Sequence, residues 1–199
     1  MKILHIYKTY CNQTHGGVEE TIRLIANGSL KNNLISDVLT FGNKNEEIKF
    51  QNHKVYIFKI DFTIASNPFS FQALINFKKI AEKYDILHFH YPFPYGDFLW
   101  LLSGTKKPFL ITYHSDIIKQ KLLKFIYYPL KIIFFHYAKR IIYTSPNYLT
   151  ISDTLNNYSE KIECIPIGID LNQILNFPNR FKTEWGKKIK TPFFLFLGA

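Results

Sequence analysis

Residues 85–92 read DILHFHYP, a short apolar run in which two histidines alternate with larger hydrophobic residues. A segment of this length, bounded by Asp85 and Pro92, is typical of a strand buried on both faces of a sheet. Before it, residues 69–83 carry hydrophobic side chains at helical spacing. After it, residues 109–113 (FLITY) repeat the buried-strand pattern. A helix pattern between such strands indicates an α/β unit.

The same alternation extends to both ends of the chain and predicts the whole fold. Short strands that lack polar alternation belong in parallel sheets with helices covering both faces. We therefore expect an α/β fold, a Rossmann-like parallel sheet with helices on both faces, whose ligands bind beyond the carboxyl ends of the strands. The further predicted strands are Lys2–Tyr7, Asp37–Phe41, Val55–Ile60, Ile141–Thr144 and Ile162–Ile165, and the further predicted helices cover 18–30, 97–102, 117–137 (kinked at Pro129) and 146–155.

The composition excludes several classes of protein. The chain has 199 residues, of which 47% are hydrophobic and 20% charged, so disordered and collagen-like classes are excluded. Two cysteines, Cys11 and Cys164, are too few for a disulfide scaffold or a Cys-based zinc site. No secretory pattern follows Met1, and the most apolar stretch, residues 125–138, is too short to span a bilayer. We therefore expect a cytoplasmic protein in a reducing compartment.

The net charge of +10 favours an anionic partner. Nucleic acid, a phosphorylated substrate and an acidic membrane face are all compatible with this charge. We expect no nucleic-acid partner, because no recognised binding motif is present. Residues 117–140 mix lysines with aromatic residues and isoleucines, which suits an anionic membrane surface. A core helix with a solvated basic edge is the alternative.

Glycine or polar residues stand at or just after the ends of the predicted strands, where a ligand is expected. Gly16-Gly17 precedes the first helix, where glycines bring backbone N–H groups close to a phosphate or carboxylate, or simply form a tight turn. His88 and His90 share one side of their strand. His114 and Asp116 come directly after FLITY, at the edge where a cleft is expected.

These residues are compatible with more than one chemistry. His88, His90, His114 and Asp116 could bind a metal ion or supply hydrogen-bonding and acid–base groups, although His88 is also typical of a buried core residue. Ser145, His114 and Asp116 could form a nucleophilic set, but no GxSxG elbow is present. Ser145 could instead cap the helix that follows, which is the commoner role for such a residue.

Taken together, the motifs resemble the N-terminal domain of family 4 glycosyltransferases of the GT-B fold. Each motif is modest, but their order and spacing are specific and cover nearly the whole chain. The motifs are His15-Gly16-Gly17-Val18-Glu19, Asp85–His90, Ile111–Asp116, Pro129-Leu130, Ala138–Ile142, Thr144-Ser145-Pro146 and Ile165–Asp170. Two positions depart from the family pattern: Ile167 stands where Asn is usual, and Lys139 where Asp is frequent.

The resemblance implies transfer of a hexose from a nucleotide sugar to a glycan or lipid-linked acceptor, with retention at the anomeric carbon. It implies a catalytic role for His114 in positioning the sugar and stabilising developing charge, not in nucleophilic attack. Gly16 and Gly17 would lie against the donor phosphates and the acceptor. The resemblance also implies acceptor or sugar contacts from His15, His90, Asp116 and Ser145. No metal ion or other cofactor is expected.

The end of the chain predicts an interrupted second domain. We expect an acceptor-side domain over residues 1–176 and an interdomain linker over 177–191. Residues 192–199 (PFFLFLGA) would then be the first strand of a donor-binding domain. A chain of this kind would be inactive alone, or would pair with a separate donor-domain chain. The alternatives are a non-catalytic module that binds a glycan or an anionic membrane, and a metal-dependent hydrolase.

Overall fold

The computed structural model describes residues 1–10, 14, 16–116 and 121–169, with the backbone alone for 121–124. Met1–Gly168 form one compact unit. The second unit, Ile169–Ala199, lies outside the described residues apart from Ile169. The predicted linker and terminal strand therefore stay predictions.

Ten strands and six α-helices make up the described part of the chain. The strands are β1 (Lys2–Ile6), β2 (Ile35–Gly42), β3 (Glu46–Phe50), β4 (His53–Lys59), β5 (Phe62–Ile64), β6 (Asn67–Phe69), β7 (Ile86–Tyr91), β8 (Phe109–Tyr113), β9 (Arg140–Tyr143) and β10 (Ile162–Cys164). The helices are α1 (Gly17–Ser29), α2 (Phe71–Ala81), α3 (Pro94–Ser103), α4 (Lys121–Tyr137), α5 (Tyr148–Ile151) and α6 (Asp153–Asn156). Within these residues, no helix is both long and apolar enough to cross a membrane.

Eight of the strands form one sheet in the order β10-β9-β8-β7-β1-β2-β4-β3. Every neighbouring pair is parallel except β3 with β4. The chain builds outward from β1 in one direction and then, from β7, in the other. The order of strands therefore reverses between β1 and β7, and in a sheet of this kind the crevice at the carboxyl ends of those two strands is where ligands bind.

Helices cover both faces of the sheet, as two adjacent residues of β2 demonstrate. Successive side chains of a strand point to opposite faces. The hydroxyl of Ser36 donates to that of Ser29 at the end of α1, at 2.9 Å. The carboxylate of Asp37 accepts from the hydroxyl of Tyr84, just after α2, at 2.7 Å. Helix α1 therefore lies on one face and α2 on the other, which confirms the predicted fold class.

The face that carries α2, α3 and α4 is packed mainly by aromatic rings. Phe89 of β7 contacts Phe77 of α2 and Phe134 of α4, with ring centroids 6.3 and 5.0 Å apart. Trp100 of α3 packs on Phe109 of β8 at 4.8 Å. Aromatic pairs at such distances add to the free energy gained by burying the rings themselves. This core packs against β7 and β8, whose carboxyl ends border the crevice.

The structure departs from the predicted elements in three places. The antiparallel edge strand β3 and the β5–β6 hairpin were not predicted, because their residues lack a continuous apolar run. The predicted helix over 146–155 is two short helices, α5 and α6, interrupted at the extended residue Ser152. The buried hydroxyl of Ser152 lies 2.9 Å from that of Tyr113, a contact that sequence periodicity does not encode. Pro129 lies inside α4.

Candidate functional site

Two of the predicted site residues, His90 and His114, meet at the carboxyl ends of β7 and β8. The register aligns His5 of β1 with His88 of β7, so the side chains of His5, His88 and His90 lie on the same face of the sheet. His114 follows β8 directly and its backbone N–H donates to the Tyr91 carbonyl at 3.0 Å. The end of β7 therefore fixes where His114 stands.

Three imidazoles form a row from the middle of the sheet to this edge. The Nδ1 atom of His5 lies 3.1 Å from Nε2 of His90. The Nδ1 atom of His90 lies 3.0 Å from Nε2 of His114. We call His5, His90 and His114 the histidine row. His114 is the half-buried outer member, whereas His5 and His90 are fully enclosed.

Burial keeps the histidine row uncharged. It lowers the pKa of His5 to about 3 and that of His90 well below its usual value, and neighbouring histidines add to both effects. Burial also lowers the pKa of His114 to about 4, against a smaller opposing effect from the charge of Glu19. At neutral pH the three rings are therefore neutral hydrogen-bonding groups.

His88 belongs to the core of the sheet. It is buried, and its Nε2 atom lies 2.7 Å from the hydroxyl of Thr112. Ring nitrogens of His5, His88 and His90 come within 4.8 Å of one another, the one cluster with metal-ligand geometry among the described residues. Its members already pair with one another, with Thr112 and with His114. The hydrolase set predicted from the sequence differs from this cluster, since it required His114 and Asp116.

The recorded partners of Asp116 and Ser145 are groups other than the His114 imidazole. Asp116 accepts a hydrogen bond from the hydroxyl of Tyr113, whose side chain lies on the face that carries α4. The carbonyl of Ser145 accepts from the N–H of Tyr148 at 3.0 Å. Within the described residues neither side chain bonds the His114 ring, so the nucleophilic set is not assembled. The first residue before α5 is Asn147 and no side chain caps that helix, so the expected capping role of Ser145 is wrong.

Tyr148 and Glu19 shape the edge of the site, and neither was predicted to do so. The hydroxyl of Tyr148 donates to the backbone carbonyl of His114 at 2.5 Å. The carboxylate of Glu19 accepts from the hydroxyls of Thr9 and Thr14, at 2.7 and 2.9 Å. Glu19 is buried, so these two bonds fasten the loop after β1 to the first turn of α1. Its position in that turn suggested only a favourable helix-dipole interaction.

The two glycines before α1 have different surroundings. A Cβ atom at Gly16 would overlap Oε2 of Glu19, so the absence of a side chain makes room for that carboxylate. A Cβ atom at Gly17 would meet nothing within 4 Å. The open backbone at the start of α1 is therefore at Gly17. His15, which was predicted to contact the acceptor or sugar, lies outside the described residues, as does Asp170.

His5 is the member of the site that sequence reasoning overlooked. It stands in the strand pattern KILHIY, where its neighbours Ile3, Leu4 and Ile6 are all apolar. A polar residue inside a buried strand is the signal that could have singled it out. Its partners are more than eighty residues away, so the pairing itself requires the sheet register.

Comparison with known proteins places these features in a family. The sequence profile of Glycosyltransferase Family 4 matches residues 15–173. The chain is 39% identical, over its whole length, to the O-antigen chain mannosyltransferase C of Escherichia coli, of which it covers 54%. It is 36% identical, again over its whole length, to the D-rhamnosyltransferase WbpZ of Pseudomonas aeruginosa, of which it covers 53%. The chain thus spans about half the length of these curated relatives.

A solved structure shares the fold. The Anabaena protein HepE, in complex with UDP and glucose, superposes on 94% of this chain with a TM-score of 0.60 and 18% sequence identity. The chain corresponds to 50% of that protein. At this identity the likeness concerns the fold of the backbone.

Proposed function

This chain belongs to glycosyltransferase family 4, and from that premise we propose that it forms the acceptor-side part of a retaining hexosyltransferase. The donor is a nucleotide sugar and the acceptor is a glycan or a lipid-linked glycan of polysaccharide synthesis, in the cytoplasm. The 199-residue chain alone turns over little or no substrate. It requires a donor-binding domain, on the same polypeptide or on a separate chain.

One observation carries this proposal: His114 stands, half-buried and uncharged, at the edge of the crevice where the strand order reverses. A neutral imidazole fixed by its neighbours can position a sugar and stabilise charge that develops during transfer. It needs no reorganisation at the moment of reaction, because β7, Tyr148 and His90 already hold it.

Further contacts with the substrates are proposed for residues at the start of α1 and after β8 and β9. Gly17 leaves the start of α1 open to donor phosphates or the acceptor, and Gly16 leaves room for Glu19. We propose that His15 contacts the acceptor, and that Asp116 and Ser145 line the crevice through their backbone or through a rearranged side chain. His90, which is 1% exposed, contributes through His114. The reaction uses no metal ion.

The comparisons support the class of substrate. The two relatives are by name a mannosyltransferase of the O-antigen chain and a rhamnosyltransferase, and both names describe hexose transfer. The HepE complex contains UDP and glucose, which together are the two parts of a nucleotide-sugar donor. The names of the two relatives therefore support transfer of a hexose to a polysaccharide.

A chimera tests the proposal. This chain replaces the matched portion of the E. coli relative, and the hybrid is introduced into cells that lack the relative. We expect the length distribution of the O-antigen to be restored, because 39% identity over the whole chain preserves the fold and the crevice. The unfused 199-residue chain, produced at the same level, is the control and should restore nothing.

Two results would count against it. A well-folded hybrid that leaves the cells without O-antigen would show that this crevice does not support mannosyl transfer. Full turnover of a nucleotide sugar by the unfused chain would show that no donor-binding domain is required.

A surface stripe on α4 supports a second proposal, that this domain docks on an anionic membrane surface. Apolar residues recur there at spacings of three and four and are exposed to solvent, with Phe125 80% and Ile126 68% accessible. We call this set, with its later members, the α4 stripe: Phe125, Ile126, Pro129, Ile132, Ile133 and Tyr137. A contiguous apolar face of this kind on a soluble domain indicates an interaction surface.

Basic residues beside the α4 stripe favour a bilayer as the occupant. A groove of about 510 Å³ runs between α3, the start of β8 and the end of α4. Trp100 and Tyr137 line it together with Lys106, Lys107 and Lys139. The lysines can bind an anionic lipid headgroup, and the aromatic and apolar side chains between them can contact its acyl chain.

Vesicle flotation tests the membrane proposal. We expect the 199-residue chain to float with vesicles containing phosphatidylglycerol and not with pure phosphatidylcholine. Ile126→Glu should abolish flotation, whereas Ile75→Glu on α2, which is 72% exposed and introduces the same charge, should not. Absence of flotation at low salt, or equal loss in both variants, would exclude the α4 stripe as a membrane surface.

A further inference from the structure

The histidine row connects an isolated ring nitrogen inside the sheet to a ring nitrogen at the crevice. At the inner end, Nε2 of His5 is buried and has no hydrogen-bond partner in the described part of the chain. At the outer end, Nδ1 of His114 likewise bonds none of the described residues. Between these ends lie the two N···N contacts of 3.1 and 3.0 Å.

Neutral imidazoles restrict how protons are distributed along such a row. Each ring carries one N–H and one unprotonated nitrogen. Each N···N contact requires one donor and one acceptor, so the choice made in one ring determines the next. Two arrangements remain: either all three rings are protonated at Nδ1, or all three are protonated at Nε2.

The buried end decides between these arrangements. Protonation at Nε2 throughout would place an N–H of His5 in the interior with no acceptor. Protonation at Nδ1 throughout leaves only an unprotonated nitrogen there. A buried donor without an acceptor is among the rarest defects in folded proteins, and it incurs the full cost of desolvation. The row is therefore directed outward: His5 donates to His90, and His90 donates to His114.

We propose that His5 and His90 are positioning residues that hold His114 in its Nδ1–H tautomer, so that His114 offers a hydrogen-bond donor to the crevice. In this state neither ring nitrogen of His114 can accept a proton from a substrate, because Nδ1 carries one and Nε2 is bonded to His90. His114 recognises an oxygen lone pair. That this oxygen belongs to the transferred sugar rests on the proposed function.

Nitrogen NMR on the 199-residue chain tests the tautomer directly. With ¹⁵N-labelled protein at pH 7, two-bond couplings to the ring protons show which nitrogen of each histidine is protonated. Couplings across the N–H···N hydrogen bonds identify which nitrogens are paired, and the protonated nitrogen of each pair is the donor. We expect protonated Nδ1 in His5, His90 and His114, with donation from His5 to His90 and from His90 to His114. Protonation of His114 at Nε2 would overturn the proposal.

Two variants separate positioning from general packing. His90→Phe retains a ring of similar size but interrupts the row, and we expect His114 to lose its single tautomer and shift toward Nε2–H, the form that free histidine prefers. His88→Gln is the matched control, since His88 is equally buried, stacks on His90 and bonds Thr112 instead. Retention of the Nδ1–H tautomer in His90→Phe, or its equal loss in His88→Gln, would contradict a positioning role.

None of these measurements involves a sugar. An Nδ1–H tautomer in wild-type protein, together with a folded chimera that transfers no mannose, would leave this inference intact and exclude the proposed function. An Nε2–H tautomer in a chimera that does transfer mannose would exclude this inference alone.

Discussion

The imidazole of His114 is the side chain on which the proposed transfer depends most. In the chimera we expect His114→Ala to reduce transfer by about 100-fold or more, the usual effect of removing a preorganised group that stabilises developing charge. The melting temperature should also fall, because the buried Nδ1–H of His90 loses its acceptor, so transfer is measured at a temperature at which both proteins are folded. Transfer rates measured in cell extracts, with His136→Ala on the exposed surface of α4 as the control, provide the check. Unchanged transfer would remove His114 from the site.

Gly16 and Gly17 are expected to differ despite their adjacency. In Gly16→Ala the new methyl group displaces the Glu19 carboxylate, which loses its bonds to Thr9 and Thr14. Hydrogen bonds to a charged group contribute about 1.5–3 kcal/mol each when fully formed, and relaxation recovers part of this. Urea denaturation should therefore show a loss of about 1–2 kcal/mol. Gly17→Ala should show none.

A double variant identifies the cause of that loss. If displacement of Glu19 is responsible, Gly16→Ala adds little in a Glu19→Ala background, because the carboxylate is already gone. Additive losses would show that Gly16 acts through something other than Glu19.

Residues at strand ends could be predicted to gather, because parallel strands bring their carboxyl ends to one edge. That reasoning placed His114 correctly beside the crevice. It could not assign partners, since His90 reaches His114 only through the register of β7 with β8. Nor could it show that Asp116 turns toward Tyr113, which depends on the path of the chain after β8.

Helix α3 contains a buried acid whose ionisation opposes folding. Asp97 is 2% exposed, and burial raises its pKa to about 8 despite a hydrogen bond from Tyr127. Asp97 is protonated in the folded chain and ionised in the unfolded chain between about pH 4 and 8. Unfolding then releases a proton, so the free energy of unfolding should fall as pH rises through this range, by up to about 1.4 kcal/mol per pH unit.

Urea denaturation at several pH values measures this slope. Asp97→Asn cannot ionise and should lack the Asp97 contribution, whereas Asp153→Asn, at an exposed position of α6, should keep it. Identical pH profiles for wild type and Asp97→Asn would show that Asp97 is already ionised in the folded protein.

At the level of elements, the strands with uninterrupted apolar runs were all predicted, because a strand buried on both faces has apolar residues at successive positions. Strand β3 lies at an edge and alternates exposed with half-buried residues, so its signal is weak. The break at Ser152 coincides with a tertiary hydrogen bond to Tyr113, which no local pattern reveals.

The whole molecule should be sensitive to acid. Burial lowers the pKa of His5, His88, His90 and His114, whereas the same residues titrate near 6.5 when unfolded. Below pH 6.5 these histidines bind protons in the unfolded chain but not in the folded chain. The free energy of unfolding therefore decreases as pH falls toward 4. Each residue contributes up to about 1.4 kcal/mol per pH unit in this range.

The acid sensitivity is best compared between variants, because Asp97 acts in the opposite direction over part of the same range. His88→Gln should reduce the slope between pH 6 and about pH 5 by one residue's contribution, and His136→Gln, which is exposed, should leave it unchanged. Equal slopes in all three proteins would indicate that the buried histidines are already charged in the fold.

The strand order has a consequence for the synthesis of this chain on the ribosome. Strand β1 emerges first but occupies the middle of the sheet, with β2, β4 and β3 on one side and β7 to β10 on the other. The β2–β4 side can assemble from the first 59 residues, after which β7 pairs with β1, and β8, β9 and β10 are each added to the strand made just before. No strand has to insert between two that are already paired. The crevice therefore closes in a fixed temporal order, with His114 completing it only after both of its inner partners have been placed.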